Sequence, residues 1–363
     1  MNILLVTMEM NIGGAETHVL ELATELKKRG NEVYVVSAGG KLVEELEKNG
    51  ITHVYAPLKD KKLKHIRESS KTLTKTIIDK KIDVVHAHAR IPGAICGFVC
   101  KKTKTHFVTT IHGLYRVNFI LKLLTNWGEK TLAVSKDIRE HAIREYDLKP
   151  ENVFVTVNGI NIEKFKPKEI AAEKLEIELN PEKKKILHIS RIDKESSQVA
   201  ETLIDIAEEL KVETSDGVQI VIVGSGNNYE ELKNKAKGHD NIIFTGARTD
   251  VDKILNVADL FVGVSRAALE AMACEIPVIL VGNETYGQGY QGVFDENTLE
   301  FAMETNFTCR GLEKIDKNKL KNDILQTLAS ESKEKMGKYN RNIVKEFYSI
   351  EKMAEDALKI YKS

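Results

Sequence analysis

Short apolar runs alternate with amphipathic stretches of helical length along most of the chain, and this rhythm narrows the possible folds more than any other feature. Apolar runs fall at residues 2–7, 32–36, 53–57, 83–88, 107–111, 131–134 and 153–157, with helix-like segments at 15–29, 42–48, 59–81, 93–100, 116–127 and 136–144 between them. A second series follows at 186–190, 219–223, 242–245, 260–264 and 278–281, again with helical segments between the runs. Strand and helix in strict turn build a parallel sheet, because a crossover helix returns the chain to run in the same direction. Two such series predict an α/β protein with two doubly wound parallel-sheet domains facing each other across a cleft. The joint between them follows the Asn158-Gly159 turn, is polar, and holds Pro167 and Pro181. The expected domains are 1–165 and 166–345, with a last helix over 346–363 packing back on the first domain.

In such sheets ligands lie outside the carboxyl ends of the strands, where helix N-termini present backbone N–H groups. Two strand-turn-helix stretches carry residues suited to phosphate. Residues 185–193 turn at Arg191, and residues 258–273 carry Ser265, Arg266 and Glu270. Two cations facing one crevice suit a diphosphate. Ser265 is placed to cap a helix starting at Ala267, with Arg266 beside its positive end. After the first strand, the adjacent Gly13 and Gly14 open a helix and permit close backbone approach.

Composition is that of an ordinary soluble globular protein, with 42% apolar and 30% charged residues among 363. Apolar runs stay far below the roughly 18 residues of a spanning helix, and no leader pattern opens the chain, so a cytoplasmic location is expected. Cys96, Cys100, Cys274 and Cys309 lack a metal-ligand pattern and read as reduced packing residues; no metal site is expected. The net charge of zero hides a division: residues 1–165 hold 26 Lys and Arg against 19 Asp and Glu, or +7, and the remainder 28 against 35, or −7. Residues 59–81 alone carry nine basic and three acidic side chains. They read either as a solvated helix face or as a contact with anionic lipid or another anionic partner. Nucleic acid is not expected, since no aromatics interleave with these lysines.

Several motifs come in a recognisable order: Gly13 to Glu16 (GGAE), Asp83 to His88 (DVVHAH), Thr110 to Gly113 (TIHG), Ala133 to Ser135 (AVS), Val157 to Asn161 (VNGIN) with Phe165, Ser190-Arg191, Val223 to Gly226 (VGSG), Phe244 to Gly246 (FTG), and Glu270 to Cys274 (EAMAC) with Pro277-Val278. Each is weak alone, but in this order, over roughly residues 3–281, the chain resembles family 4 glycosyltransferases. The resemblance implies a GT-B fold of two Rossmann-like domains, a UDP- or GDP-linked sugar as donor held mainly by the second domain, no cofactor or metal, and transfer with retention of configuration. It puts Gly13 and Gly14 near the donor phosphates or the acceptor, Arg191 on the leaving diphosphate, Gly224 in a donor-side loop, Ala247 by the base, and Glu270 on the ribose hydroxyls. His112 would sit by the donor sugar and the bond that breaks. His86 and His88 are placed on alternate faces of one strand in packing roles. Glu9 and Asn11 lie in the first loop, within possible reach of an acceptor.

The chain departs from the family pattern twice. The second phosphate cation is expected five residues after the arginine, where Ser196 stands, so Lys194 or the Arg266 turn is expected to supply that charge. The stretch between Asp259 and Glu270 is also about six residues short of the pattern, so the first of the family's two glutamates is missing. Residues 282–292, with four glycines and two tyrosines, read as a sugar-binding loop or a lid. Three functions fit these residues: a transferase making a cell-surface or envelope glycan from a nucleotide sugar and a glycan or lipid-linked acceptor, a donor-binding homologue without catalysis, and a nucleotide-sugar epimerase.

Overall fold

The computed structural model describes residues 1–115 and 117–363, with all their side chains except those of Ala172 and Lys174. It divides into two units, one of Met1–Gly159 with Tyr348–Ser363, the other of Ile160–Phe347. The chain passes from the first unit to the second between Gly159 and Ile160, a few residues before the expected boundary near Phe165.

The first unit holds strands β1 (Asn2–Val6), β2 (Glu32–Ser37), β3 (Thr52–Tyr55), β4 (Val84–Ala87), β5 (His106–Ile111), β6 (Lys130–Ala133) and β7 (Val153–Val155). They form one parallel sheet in the order β3-β2-β1-β4-β5-β6-β7. Ile3, Leu4, Leu5 and Val6 are all fully buried, as a central strand covered on both faces requires. The order reverses between β1 and β4, which makes their carboxyl ends the switch point of this sheet. The helix of residues 116–127 predicted from the sequence is shorter in the structure, running over Phe119–Leu124 with Asn118 accepting from Leu121 N; its predicted start at Arg116 lies outside the described residues.

The last helix, Ile350–Tyr361, is capped by Ser349, whose hydroxyl accepts from Lys352 N at 3.2 Å. Its Ile350, Met353, Ala354, Ala357 and Ile360 bury against Ile3, Leu5, Leu22 and Leu26. Burying each large side chain contributes roughly 1.5–3 kcal/mol, so this helix is a structural part of the first unit. Tyr361 anchors it further, its hydroxyl lying 2.6 Å from His86 Nδ1.

The second unit contains β8 (Lys184–Ile189), β9 (Val218–Val223), β10 (Ile242–Gly246), β11 (Leu260–Gly263), β12 (Val278–Val281) and β13 (Tyr290–Val293), in the order β10-β9-β8-β11-β12-β13. Four pairings are parallel, but β13 runs antiparallel to β12. This narrows the sequence reading of residues 282–292 as a sugar-binding loop or a lid. They turn through Glu284–Tyr286 and return as an edge strand, with Tyr290 buried and its hydroxyl bonded to Asp323. A segment held this way is part of the sheet and not a lid. The Lys333–Phe347 helix packs on the Ser265–Ala273 helix, where Asn340 Nδ2 donates to Ile276 O at 2.8 Å and Arg341 reaches Ala273 O.

Candidate functional site

Four histidines gather at the switch point of the first sheet. The His88 N–H donates to Val6 O at 2.9 Å, which pins residue 88 beside the end of β1. His86 and His88 prove to share one face of β4, their rings 4.1 Å apart, because residues i and i+2 of a strand point the same way. The alternate-face placement is therefore corrected. His86 is anchored at both nitrogens, by Tyr361 and by Thr110 Oγ1 at 2.7 Å, and its role is packing. His112 follows β5 with its Nε2 3.3 Å from His88 Nδ1, and its ring lies edge-on to His18 at 4.7 Å. Burial pushes His112 down to about 4 and His86 to about 3 from the ordinary 6.5, the neighbouring His112 adding to the effect on His86, and holds His88 well below it. At neutral pH these three are hydrogen-bonding imidazoles rather than cations.

Gly13 N-caps the Gly14–Lys28 helix with extended backbone. A Cβ on Gly13 would lie 2.3 Å from Glu16 Oε2, so the Glu16 carboxylate folds back over the helix end that was expected to meet phosphate. In the first loop, Asn11 Nδ2 donates to Glu9 Oε2 at 2.9 Å, and Lys59 pairs with Glu9.

The second sheet reverses between β8 and β11, paired at Ile186–Leu260 and Leu187–Phe261. The two stretches singled out in the sequence, with Arg191 after β8 and Ser265, Arg266 and Glu270 after β11, thus meet at its switch point. Arg191 is exposed and makes no ion pair with any described residue. Ser196 closes its turn, donating to Arg191 O at 2.8 Å and accepting from Asp193 N at 3.2 Å. Gly224, at φ +142, lets the end of β9 cross the β8 turn: a Cβ there would lie 1.9 Å from Ser190 O, which gives this glycine a packing reason of its own. Lys194, three residues past Arg191, has its Nζ 3.8 Å from Glu231 Oε2, with both side chains about two-thirds exposed or more. Ala247 is exposed just past β10.

Arg266 and Glu270 pair with each other, Nε to Oε1 at 2.8 Å, each only 13% exposed. The helix runs over Ser265–Ala273 with no side-chain cap, so Ser265 does not take the capping role expected of it. Its N–H donates instead to Phe307 O at 2.6 Å, and its φ of +60 is left-handed. Asn306, Phe307 and Cys309 share that region at φ +55, +57 and +57. Four non-glycine residues so held around one helix start mark stored backbone strain, which tends to gather at functional sites. The sequence reading missed this segment, since nothing in residues 306–309 announces positive φ. It missed His188 as well: Nδ1 donates to Val262 O at 2.8 Å, leaving Nε2 to accept from Ser190 Oγ at 2.9 Å, and burial pushes it down to about 4. A lone histidine inside the apolar run 186–190 was the available signal.

The comparisons with known proteins agree with this architecture. Residues 12–164 match the model for Glycosyltransferase Family 4, and residues 183–303 that for Glycosyl transferases group 1. The alpha-monoglucosyldiacylglycerol synthase of Streptococcus pneumoniae is 25% identical over 309 residues, 75% of this chain and 68% of that protein. Among solved structures, a glycosyltransferase of Rickettsia africae superposes with TM-score 0.80 at 23% identity, over 99% of this chain and 98% of that one. Anabaena HepE, solved with UDP, gives 0.78 at 16% identity over the whole of both chains. Together these establish the GT-B fold, and the chain belongs to the family 4 glycosyltransferases.

Proposed function

We propose that the protein moves a sugar from a UDP- or GDP-linked donor to a glycan or lipid-linked acceptor in cell-surface or envelope glycan synthesis, with retention of anomeric configuration. The observation that carries this reading is Arg191, an exposed cation on a turn fixed by Ser196 at the switch point of the second sheet. Negative charge grows on the leaving diphosphate as the glycosidic bond breaks, so a preorganised guanidinium there stabilises the transition state more than the bound donor. HepE, the UDP-bound structural neighbour, supports a nucleotide donor. His112 stands by the reacting sugar as a neutral imidazole, able to exchange hydrogen bonds with hydroxyls without adding charge. Incubation with a panel of UDP- and GDP-sugars and acceptor extracts, following nucleoside diphosphate release and the product anomer by NMR, tests the reading. Release without transfer to any acceptor, or an inverted product, overturns it.

The acceptor class rests on the first unit. In the Phe119–Leu124 helix no residue is buried, and Phe119, Ile120, Leu123 and Leu124 are 83, 66, 76 and 63% exposed. Four large apolar side chains held out of the fold suit a lipid surface better than water. The basic Leu63–Asp79 helix belongs to the same unit and supplies the charge that attracts anionic headgroups. Among the described residues no helix is long and apolar enough to cross a membrane, so contact would be peripheral. Cosedimentation with vesicles rich in anionic lipid should weaken with salt, and in Phe119→Asp/Leu123→Asp should fall at every salt concentration; indifference to both removes the membrane from the reading.

A further inference from the structure

A leaving nucleoside diphosphate carries more negative charge than Arg191 alone offsets, and the position of the family's second cation is held by Ser196. The strained segment after the Leu299–Glu304 helix brings another arginine to this switch point. Phe307 O receives the Ser265 N–H at 2.6 Å at the start of the Ser265–Ala273 helix, and the Phe307 ring is fully buried, 5.3 Å from that of Phe294. The segment is also stitched to the turn between β12 and β13. Gly289 N donates to Cys309 O at 2.9 Å and Gly311 N to Gly287 O at 3.0 Å, with Gln288 and Arg310 paired between them as an antiparallel bridge. The Arg310 backbone is therefore fixed on both sides. Its side chain is half-buried and folds back along the segment, Nη2 donating to Thr305 O at 3.2 Å, which holds the guanidinium beside the stretch that carries Phe307 and the helix start.

This position is poor for folding and good for an anion. A helix N-terminus is the positive end of the peptide dipoles, so a cation beside it is repelled, and this helix has no side-chain cap to offset that. Arg266, in its first turn, adds a further guanidinium, answered by Glu270 at 2.8 Å. Asn306 gives an independent sign of a ligand: it is only 4% exposed, and its Oδ1 is buried with no hydrogen-bond partner among the described residues. Folded proteins rarely leave such an oxygen unsatisfied. An amide oxygen only accepts, and the hydroxyls of a donor sugar are suitable donors to it.

We infer that Arg310 is a catalytic residue, the second cation on the leaving diphosphate, meeting it from the start of the Ser265–Ala273 helix while Arg191 meets it from the β8 turn. The inference rests on the sugar-transfer reading above and adds a residue to it. As the bond from the anomeric carbon to the diphosphate oxygen breaks, its electron pair stays on that oxygen, where the two guanidiniums stabilise it. The acceptor hydroxyl oxygen bonds to the carbon, and its proton leaves to the diphosphate or to water. Both arginines belong to the second unit, so the cation pair forms within one unit. The segment docks at Ser265, within the stretch that is short of the family pattern, so a later loop takes the place of the missing one.

Calorimetry on the full chain with UDP, GDP, inorganic pyrophosphate, uridine and guanosine, beside turnover, tests this. Arg310→Ala and Arg310→Gln, the latter keeping a donor for Thr305 O, should bind nucleoside diphosphate and pyrophosphate roughly ten- to a hundredfold more weakly, with nucleoside affinity within about twofold of wild type. Turnover should fall further than affinity, because the charge on the leaving oxygen is greater in the transition state than in the bound donor, and Arg310→Lys should recover part of both. Lys314→Ala, which removes an exposed cation just past the segment, paired with Glu284 at 3.2 Å, should change neither by more than about twofold. Full phosphate affinity in both neutral Arg310 variants, while Arg191→Ala loses it, overturns the role of Arg310 and leaves the transfer reading standing. Equal losses for nucleoside and diphosphate overturn it too, by assigning Arg310 to the shape of the site. A wild-type chain that binds neither diphosphate overturns the transfer reading and this inference with it.

Discussion

The two sheets of this protein place opposite chemistry at equivalent positions. At the first switch point the polar groups are buried imidazoles, kept neutral by desolvation and oriented by Thr110, Asn158 and one another. At the second they are charged and nearer water: Arg191 exposed on its turn, and Arg266 paired with Glu270 at the start of a helix whose backbone is strained. The same topology thus yields one site suited to hydroxyl-bearing, uncharged chemistry and another suited to a diphosphate. The difference arises at the carboxyl ends of the central strands. His86 and His88 stay in the core with His112 half-buried beside them, while the β8 turn puts Arg191 in water and the β11 turn leaves Arg266 largely covered and paired with Glu270.

The sharpest test of that contrast is to remove one member from each site and compare what is lost. If His112 meets the reacting sugar as proposed, His112→Ala should reduce turnover by on the order of a hundred- to a thousandfold and leave nucleoside diphosphate affinity within about twofold. Steady-state kinetics beside calorimetry with the diphosphate would check this. An equal loss in both would mean that His112 serves the donor phosphates, and the division between the sites would fail.

Buried neutral histidine is not confined to the first unit, and the pH dependence of stability should show it. His188 has an ordinary value of 6.5 in the unfolded chain and is held to about 4 in the folded one. Below its unfolded value the unfolded state takes up the proton first. Stability from this group is therefore complete above pH 6.5 and falls as pH drops from 6.5 towards 4, by about 3 kcal/mol across the window. Urea unfolding at stepped pH should follow this slope, and His188→Gln, which retains bonding to Val262 O or Ser190, should flatten it. A slope unchanged in the variant would assign acid sensitivity to other groups.

Arg191 gives the complementary loss. A charge-assisted hydrogen bond to a diphosphate contributes about 1.5–3 kcal/mol, so Arg191→Ala should weaken nucleoside diphosphate binding roughly ten- to a hundredfold. Glu270→Gln separates two roles for that carboxylate. If it receives the ribose hydroxyls, the variant loses affinity for nucleotide but not for pyrophosphate. If it serves only to hold Arg266 at 2.8 Å, both fall together.

Most of the fold was legible because parallel strands buried on both faces appear as apolar runs, and runs such as 2–7 and 219–223 admit little else. β13 was missed because Tyr290–Val293 is an edge strand containing Gly292, too short and too mixed to stand out. Candidate residues on turns were legible where a charge follows a strand, as at Arg191, which the fold places at the second switch point. Their partners were not, because the Arg266–Glu270 pair, the closure of the turn by Ser196 and the hold of Phe307 on Ser265 depend on which side chains the fold brings together. The histidine cluster was not foreseen: His88 was read as a packing residue, His112 as a neighbour of the donor sugar, and His18 was not singled out, because the three are far apart in sequence and only the parallel order β1-β4-β5 makes them neighbours.

The smallest expected effect comes from Ser196, which stands where the family pattern has a second phosphate cation. From sequence alone, Ser196→Lys should supply that missing charge and raise turnover by tenfold or more. The structure reduces that expectation. Ser196 Oγ donates to Arg191 O at 2.8 Å and accepts from Asp193 N at 3.2 Å, so the substitution removes two bonds that shape the turn presenting Arg191. Each net hydrogen bond contributes about 0.5–1.5 kcal/mol, comparable with the 1.4 kcal/mol that a tenfold gain requires. The added ammonium and the loosened turn should nearly cancel, giving a change in turnover of less than about threefold with a lowered melting temperature. Ser196→Ala, which loses the bonds and gains no charge, should lower both stability and turnover. Lys194→Ala should do little, since that ammonium pairs at the surface with Glu231 at 3.8 Å and such exposed pairs contribute little. A tenfold rise in Ser196→Lys would show that the turn keeps its shape without the serine, and a large loss in Lys194→Ala would show that Lys194 leaves Glu231 to meet the diphosphate; either result would give the second site more charge than Arg191 alone provides.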